Sequence, residues 1–321
     1  MKKTCIIVNP KAGKQFFLKF YLPLVLSVFD EKGISYEVIY TKNPEAPASI
    51  AKEYLNEVDF FTVFGGDGTL REVVKGMGDS PKPVGLIPLG TVNVLAQDLG
   101  IPFDPIQAAF TIVEGYQRKI DVAYANQEPF ILMLSIGIDA EAVHNVDLEL
   151  KKWIGPFSYI FAAIKSLIQY APKKVKIRLP EKNIEDEGYI VLVSNCRFYG
   201  GRFVVDEKTS IDDGILNLFL FKRGSIRDTF RLFMGVLTKS HTQMKDLSFY
   251  TAKKIEIITE KKVRAQNDGD PAPSPPFVIT VKPKFVSIFV PKQPYELPSI
   301  TKRYLNSLFR KLFRDAKKIL N

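Results

Sequence analysis

The chain has 321 residues, 46% hydrophobic and 25% charged, an ordinary globular balance at a length that suggests about two domains. Its net charge of +10 suits nucleic acid, an anionic membrane or phosphorylated substrates, and does not choose among them. Cys5 and Cys196 are the only cysteines, both in strand-like apolar runs, which excludes a disulfide framework and points to a reducing compartment; two histidines, His144 and His241, leave little material for a His-rich metal site or a Ser/His/Asp triad.

In chain order, the first third alternates strand and helix patterns. The apolar run 5–8 reads as a strand that stops at Asn9-Pro10, too short for a signal-peptide core. A helix over 16–29, a strand over 35–40 and a helix over 48–55 follow. Residues 59–64 read as a buried, aromatic-rich strand, and Leu70, Val73, Val74 and Met77 recur at helical spacing, so a helix opens near Thr69. A strand over 84–87 and helices over 94–99 and 106–113 complete an alternation that implies a parallel sheet with helices on both faces. From about Lys119 onward the pattern changes to strands, at 120–125, 130–136, 175–179, 188–194, 216–221, 254–259, 277–281 and 286–290. A helical pattern at 147–170 interrupts them, 270–276 is a proline-rich rigid loop, and 299–321 is helical again. No repeat is present, and no uninterrupted apolar stretch is long enough to span a membrane. The expected architecture is a doubly wound parallel-sheet α/β domain (1–122), a β-sandwich-like domain (123–295) and a basic amphipathic C-terminal helix (296–321).

Four stretches carry chemistry. "GGDGT", 65–69, joins a strand to a helix; its glycines permit close backbone approach, and the helix N-terminus is an anion site. Asp67 would repel a phosphate, so it holds a Mg²⁺ shell, accepts a proton or simply caps a tight turn. "NPKAGK", 9–14, ends the first strand in a glycine turn with two lysines, suited to phosphate contacts or to an ordinary turn. "PLGTVNVLA", 88–96, offers Gly90, Thr91 and Asn93 at a helix start, as an N-cap or a ligand contact. "QNDGDPA", 266–272, places two aspartates around a glycine, as a hairpin turn or an acidic site.

As a set in this order, these motifs resemble the diacylglycerol kinase catalytic-domain family, which includes bacterial diacylglycerol and lipid kinases and is related to sphingosine and ceramide kinases. The resemblance covers the chain to about residue 290. It implies that Gly65, Gly66, Asp67, Gly68 and Thr69 form the nucleotide phosphate loop, that Asn9 and Lys14 flank the phosphates, that Thr41 and Glu72 lie near the nucleoside, and that Gly90, Thr91 and Asn93 complete the nucleotide side. It implies a catalytic role for Asp268, Asp270 and Asp67, with Asp268 favoured as the base that takes the lipid hydroxyl proton and Asp67 as its rival. Asp67 or Asp98 would reach a catalytic Mg²⁺ through water. In "SIDDGIL" the resemblance implies a structural Mg²⁺ on the Asp213 carboxylate and the carbonyls of Ser210 and Ile215, against a plain β-turn that Asp213 caps. Two departures stand out: Val94 follows the GTxN asparagine where the family often has an aspartate, and Asp270 replaces the usual glutamate.

The implied function is an ATP-dependent lipid kinase with Mg²⁺, acting most directly on diacylglycerol to give phosphatidic acid. ATP would lie between the two domains with in-line attack of the lipid hydroxyl on the γ-phosphorus, catalysed by positioning and charge neutralisation. The partner is a lipid at an anionic membrane surface, with the enzyme cytoplasmic and peripheral on the inner face, a homodimer left open and no nucleic acid expected. The segment 299–321 carries seven basic residues against Asp315, with Leu305, Leu308, Phe309, Leu312 and Phe313 on one face; it lies on the membrane or packs on the first domain. Trp153, Phe157, Tyr159 and Phe161 line a lipid entrance or belong to a core helix. The competing functions are an NAD kinase-like enzyme, a catalytically weak lipid-binding pseudokinase and a basic nucleic-acid-binding protein.

Overall fold

The computed structural model describes residues 2–12, 15–137, 140–141, 172–199, 203–204, 206–237 and 240–292. The expected helices over 147–170 and 299–321, with Trp153, and also Lys14 and His144, lie outside these residues.

The first unit runs β1 (Lys3–Val8), α1 (Gln15–Glu31), β2 (Ser35–Tyr40), α2 (Ala46–Glu53), β3 (Phe60–Gly65), α3 (Asp67–Met77), β4 (Val84–Pro88), α4 (Val94–Leu99) and α5 (Pro105–Glu114). Its strands pair in the parallel order β2-β1-β3-β4. All six residues of β3 are buried, because helices cover both faces of this sheet. Phe61 and Phe64 are fully buried there, worth roughly 1.5–3 kcal/mol each in transfer terms. The helix α3 starts at Asp67, two residues ahead of the apolar pattern, since Gly66 in an extended conformation ends the strand and caps the helix.

The second unit holds β5 (Tyr116–Ala125), β6 (Glu128–Phe130), β7 (Met133–Ile136), β8 (Val175–Leu179), β9 (Ile184–Gly188), β10 (Ile190–Ser194), β11 (Phe198–Tyr199), β12 (Phe203–Val204), β13 (Leu216–Phe221), α6 (Ile226–Leu237), β14 (Leu247–Ala252), β15 (Lys254–Thr259), β16 (Ala265–Asn267), β17 (Asp270–Ala272) and β18 (Phe277–Val290). A six-stranded sheet, β14-β13-β10-β7-β16-β17, packs against strands of the larger sheet through Leu134, Ile136, Val191, Val193, Leu218, Ile255, Ile257 and Ile279, a sandwich core. The two segments expected at 277–281 and 286–290 are one strand with a register shift between Lys282 and Val286, where Pro283 cannot donate to the ladder. The strand expected at 130–136 is instead two, β6 and β7. Through β18 the two units share one ten-stranded sheet, since β18 pairs with β5 and β15 and, at Ile288, with Val84 of β4.

Candidate active site

The carboxyl ends of β1, β2, β3 and β4 deliver Asn9, Thr41, the GGDGT loop and the 88–93 loop to one edge of the sheet, where ligands of such folds sit. Backbone bonds carry the strand register into the loops: Asn9 N–H to Phe64 O, Thr41 N–H to Val8 O and Leu89 N–H to Gly65 O. Two glycines set the approach of the loops. A Cβ on Gly90 would lie 2.7 Å from Gly66 Cα and 2.6 Å from Asn93 Oδ1, so only glycine fits between them. Asn9 Nδ2 donates to Thr69 Oγ1 at 2.9 Å and ties the first turn to the phosphate loop. Asn93 sits in the left-handed region at φ 53° and donates to Gly90 O at 2.9 Å; its Oδ1 is buried without a protein partner. Such an acceptor fits a donor hydroxyl or an ordered water.

The aspartate between the glycines takes part in this joint. Asp67 accepts from Val94 N–H at 2.8 Å and from Leu95 N–H at 3.1 Å, so it caps the first turn of α4 from the neighbouring loop. Its surroundings still push its pKa up to about 6: burial raises it most, those two backbone bonds oppose this, and the negative charges of Asp268 and Asp270 add to it. A carboxyl near neutrality beside a glycine loop can hold or release a proton at working pH.

The acidic stretch of the second unit is a hairpin joining β16 to β17, with Asp268 at φ 49° and Gly269 at φ 85°. Positive φ at both central residues is the turn that Asp-Gly favours. Its carboxylate accepts three backbone N–H groups, Ile131 at Oδ2 and Leu132 and Met133 at Oδ1, all at 2.9 Å. Burial nevertheless raises the Asp268 pKa, against the lowering effects of Arg71 and those amides. Asp270 is half exposed and lies across the domain seam: a Cβ on Gly68 would meet its Oδ2 at 2.8 Å. Asp67, Asp268 and Asp270 are thus brought together around the phosphate loop, although the hairpin lies about 200 residues further along the chain.

Of the remaining expected residues, Thr41 and Thr69 are buried, Thr91 is exposed, and Glu72 is largely buried and accepts from Arg71 at 3.2 Å. Asp98 is buried and held by Arg197, whose Nε donates to its Oδ1 at 3.0 Å. Away from this site, Asp213 is exposed and accepts from Ile215 N–H at 2.9 Å, while Ser210 Oγ donates to Asp212, which pairs with Arg118. The Asp213 bond is that of a capped turn. Sequence reasoning missed Arg71 and Arg197. An arginine in the second turn of a phosphate-loop helix was the available signal; its partners, 196 and 199 residues away, were not.

Residues 3–125 match the family described as the diacylglycerol kinase catalytic domain, and residues 133–290 match the YegS C-terminal NAD kinase beta sandwich-like domain. A diacylglycerol kinase of Bacillus subtilis is 30% identical over 274 residues, covering 84% of this chain and 90% of its own. A diacylglycerol kinase of Staphylococcus carnosus is 26% identical over 294 residues, covering 91% of this chain and 96% of its own. The crystal structure of a diacylglycerol kinase from Bacillus anthracis superposes with a TM-score of 0.73 at 27% identity, covering 91% of this chain and 97% of that one.

Proposed function

The chain belongs to the diacylglycerol kinase catalytic-domain family, and on that premise we propose that it is an ATP-dependent lipid kinase whose acceptor is diacylglycerol and whose product is phosphatidic acid. The observation that carries this reading is the meeting of Asp67, Asp268 and Asp270 at the glycine loop, where the two matched domains join. The NAD kinase-like alternative has less support, because relatives aligned along most of the chain carry the name diacylglycerol kinase. The pseudokinase alternative has less support because all three carboxylates are in place despite Val94 and Asp270.

The phosphates of ATP rest on the first turn of α3, where the backbone N–H groups are unpaired within the helix. Asp268 has about four lone-pair positions and spends three of them on backbone amides, which fixes its plane. With the remaining one it accepts the proton of the lipid hydroxyl as that oxygen attacks in line. Asp67 holds the first turn of α4 against the glycine loop and stands ready to ionise. When bound with ATP, Mg²⁺ supplies charge neutralisation of the phosphates. Asp67 and Asp270, both partly open to solvent beside the glycine loop, would hold an ion that keeps most of its waters and touches one or two carboxylates. A second Mg²⁺ on Asp213, Ser210 and Ile215 belongs to the same proposal. So does a peripheral position at the inner face of the membrane, with the basic tail as the contact; among the described residues no helix is long and apolar enough to cross a membrane.

The test is incubation with labelled ATP and separate acceptors: diacylglycerol, sphingosine, ceramide, NAD and RNA. Label on diacylglycerol is the expected result. Label on NAD alone, or on no acceptor by a folded protein, overturns the reading.

A further inference from the structure

Arg71 lies on α3, one residue before Glu72, with a side chain only 13% exposed. Its guanidinium points across the domain seam. Nη1 donates to the Asn267 carbonyl at 2.7 Å, and Nη2 to Asp270 Oδ2 and Glu72 Oε1, each at 3.2 Å. Asn267 and Asp270 are paired residues on either side of the Asp268-Gly269 turn. One planar fork therefore grips both ends of the acidic hairpin, a task a lysine point charge performs poorly. From the opposite side, the amides of Ile131, Leu132 and Met133 hold Asp268 itself. The missing Cβ of Gly68 is an independent mark of the same contact, since the Asp270 carboxylate lies in the space it would occupy.

Two more ion pairs cross from this part of the first unit to the second: Lys75 Nζ to Glu128 at 2.6 Å and Lys282 Nζ to Asp79 at 2.8 Å. The side chains of both pairs are 40% exposed or more, where salt and solvent leave such pairs little weight. Among these three links the Arg71 contact is the one whose cation is largely buried, although Asp270 is half exposed.

We propose that Arg71 is a positioning residue that locks the acidic hairpin of the second domain onto the phosphate-loop helix of the first, and so sets the rate of phosphoryl transfer without adding to nucleotide affinity. This rests on the lipid kinase reading. The charged and titratable groups that act on or feel Asp268 are Asp67 and Arg71 from α3 and the buried Cys196 thiol after β10, while Glu72 and Asp270 reach this cluster through Arg71.

The experiment uses the full chain and compares Arg71→Met, Arg71→Lys, Asp270→Asn, the double variant Arg71→Met/Asp270→Asn, and Lys75→Met as a control on the exposed pair. Arg71→Met should lower kcat roughly 10- to 100-fold with KM for ATP within about threefold, and Arg71→Lys should fall between it and wild type. The double variant should be no worse than the poorer single variant within about threefold, because both single changes remove the shared Arg71–Asp270 bond. Lys75→Met should match wild type. The proposal is overturned by Arg71→Met turnover within about twofold of wild type, by losses that multiply in the double variant, or by a raised KM for ATP at unchanged kcat, which would make Arg71 a nucleotide ligand. If the wild-type protein labels no lipid, the lipid kinase reading fails by itself. Melting temperatures of wild type, Arg71→Met, Asp270→Asn and the double variant then judge the lock: coupled shifts support it, and additive shifts overturn it.

Discussion

Asp67 is where the chemistry of a single side chain should be easiest to read out. Its carboxyl has a folded-state pKa near 6 against an ordinary value of 3.8. Between those values the folded protein holds the proton that the unfolded chain has lost. Folding stability from this group is therefore present in full below about pH 4 and is lost as pH rises to about 6. Asp67→Asn should flatten that part of the melting temperature's pH dependence. If ionised Asp67 is needed for turnover, kcat/KM of wild type should also fall below about pH 6. An unchanged melting profile in Asp67→Asn would show that the group titrates elsewhere. At this scale the turns themselves were legible in the sequence, because glycine and aspartate in turns report backbone constraints that are local. It was silent on what Asp67 caps: Val94 and Leu95 open a different helix, α4, and the contact depends on Gly66 and Gly90 packing back to back. Arg71 was overlooked for the same reason, being identified only by partners in another domain.

Among elements, those with strong apolar periodicity match the expectation: β2, β8, β13, β15 and α4 have the expected bounds. The strand β9, sequence IEDEG, was not expected, because its polarity belongs to an edge. It ends the large sheet beside β8, where Glu187 meets Lys174 and Glu185 meets Arg178. The helix α6 and strand β14 were also not anticipated. The loop entering β13 offers a test at this scale. If Asp213 and the carbonyls of Ser210 and Ile215 hold Mg²⁺, titrating the ion without ATP should raise the melting temperature of wild type and not of Asp213→Ala. Parallel titration curves would leave only the capped turn, with a cost on mutation of about 0.5–2 kcal/mol by analogy with other side-chain caps.

At the scale of the whole molecule, composition and element order foretold an α/β sheet followed by a sandwich, but no local pattern could reveal that β18 joins both. Charge distribution is the other whole-chain property. The segment from Ser299 carries more than half of the net charge of +10, and each basic residue near an anionic surface contributes roughly 1 kcal/mol, less at high salt. Changing Arg310, Lys311 and Arg314 to Glu should abolish sedimentation with anionic vesicles while turnover of a short-chain, dispersed lipid is kept. Unchanged sedimentation would assign the tail to packing and membrane contact to another surface.

The passage of β18 through both units has a consequence for biosynthesis. The edges of β4 at Val84 and of β5 that β18 fills are covered only when residues 277–290 have left the ribosome; before that, β5 pairs with β6 alone, at 123–125. Until then the nascent first domain exposes an unpaired strand edge beside its nearly finished parallel sheet, a template for intermolecular pairing. A fragment ending at Ala125 should therefore self-associate, and a separately made piece containing residues 126–292 should restore a monodisperse fold in trans. A monomeric, cooperatively melting fragment 1–125 would show instead that the first sheet closes without its last-made strand.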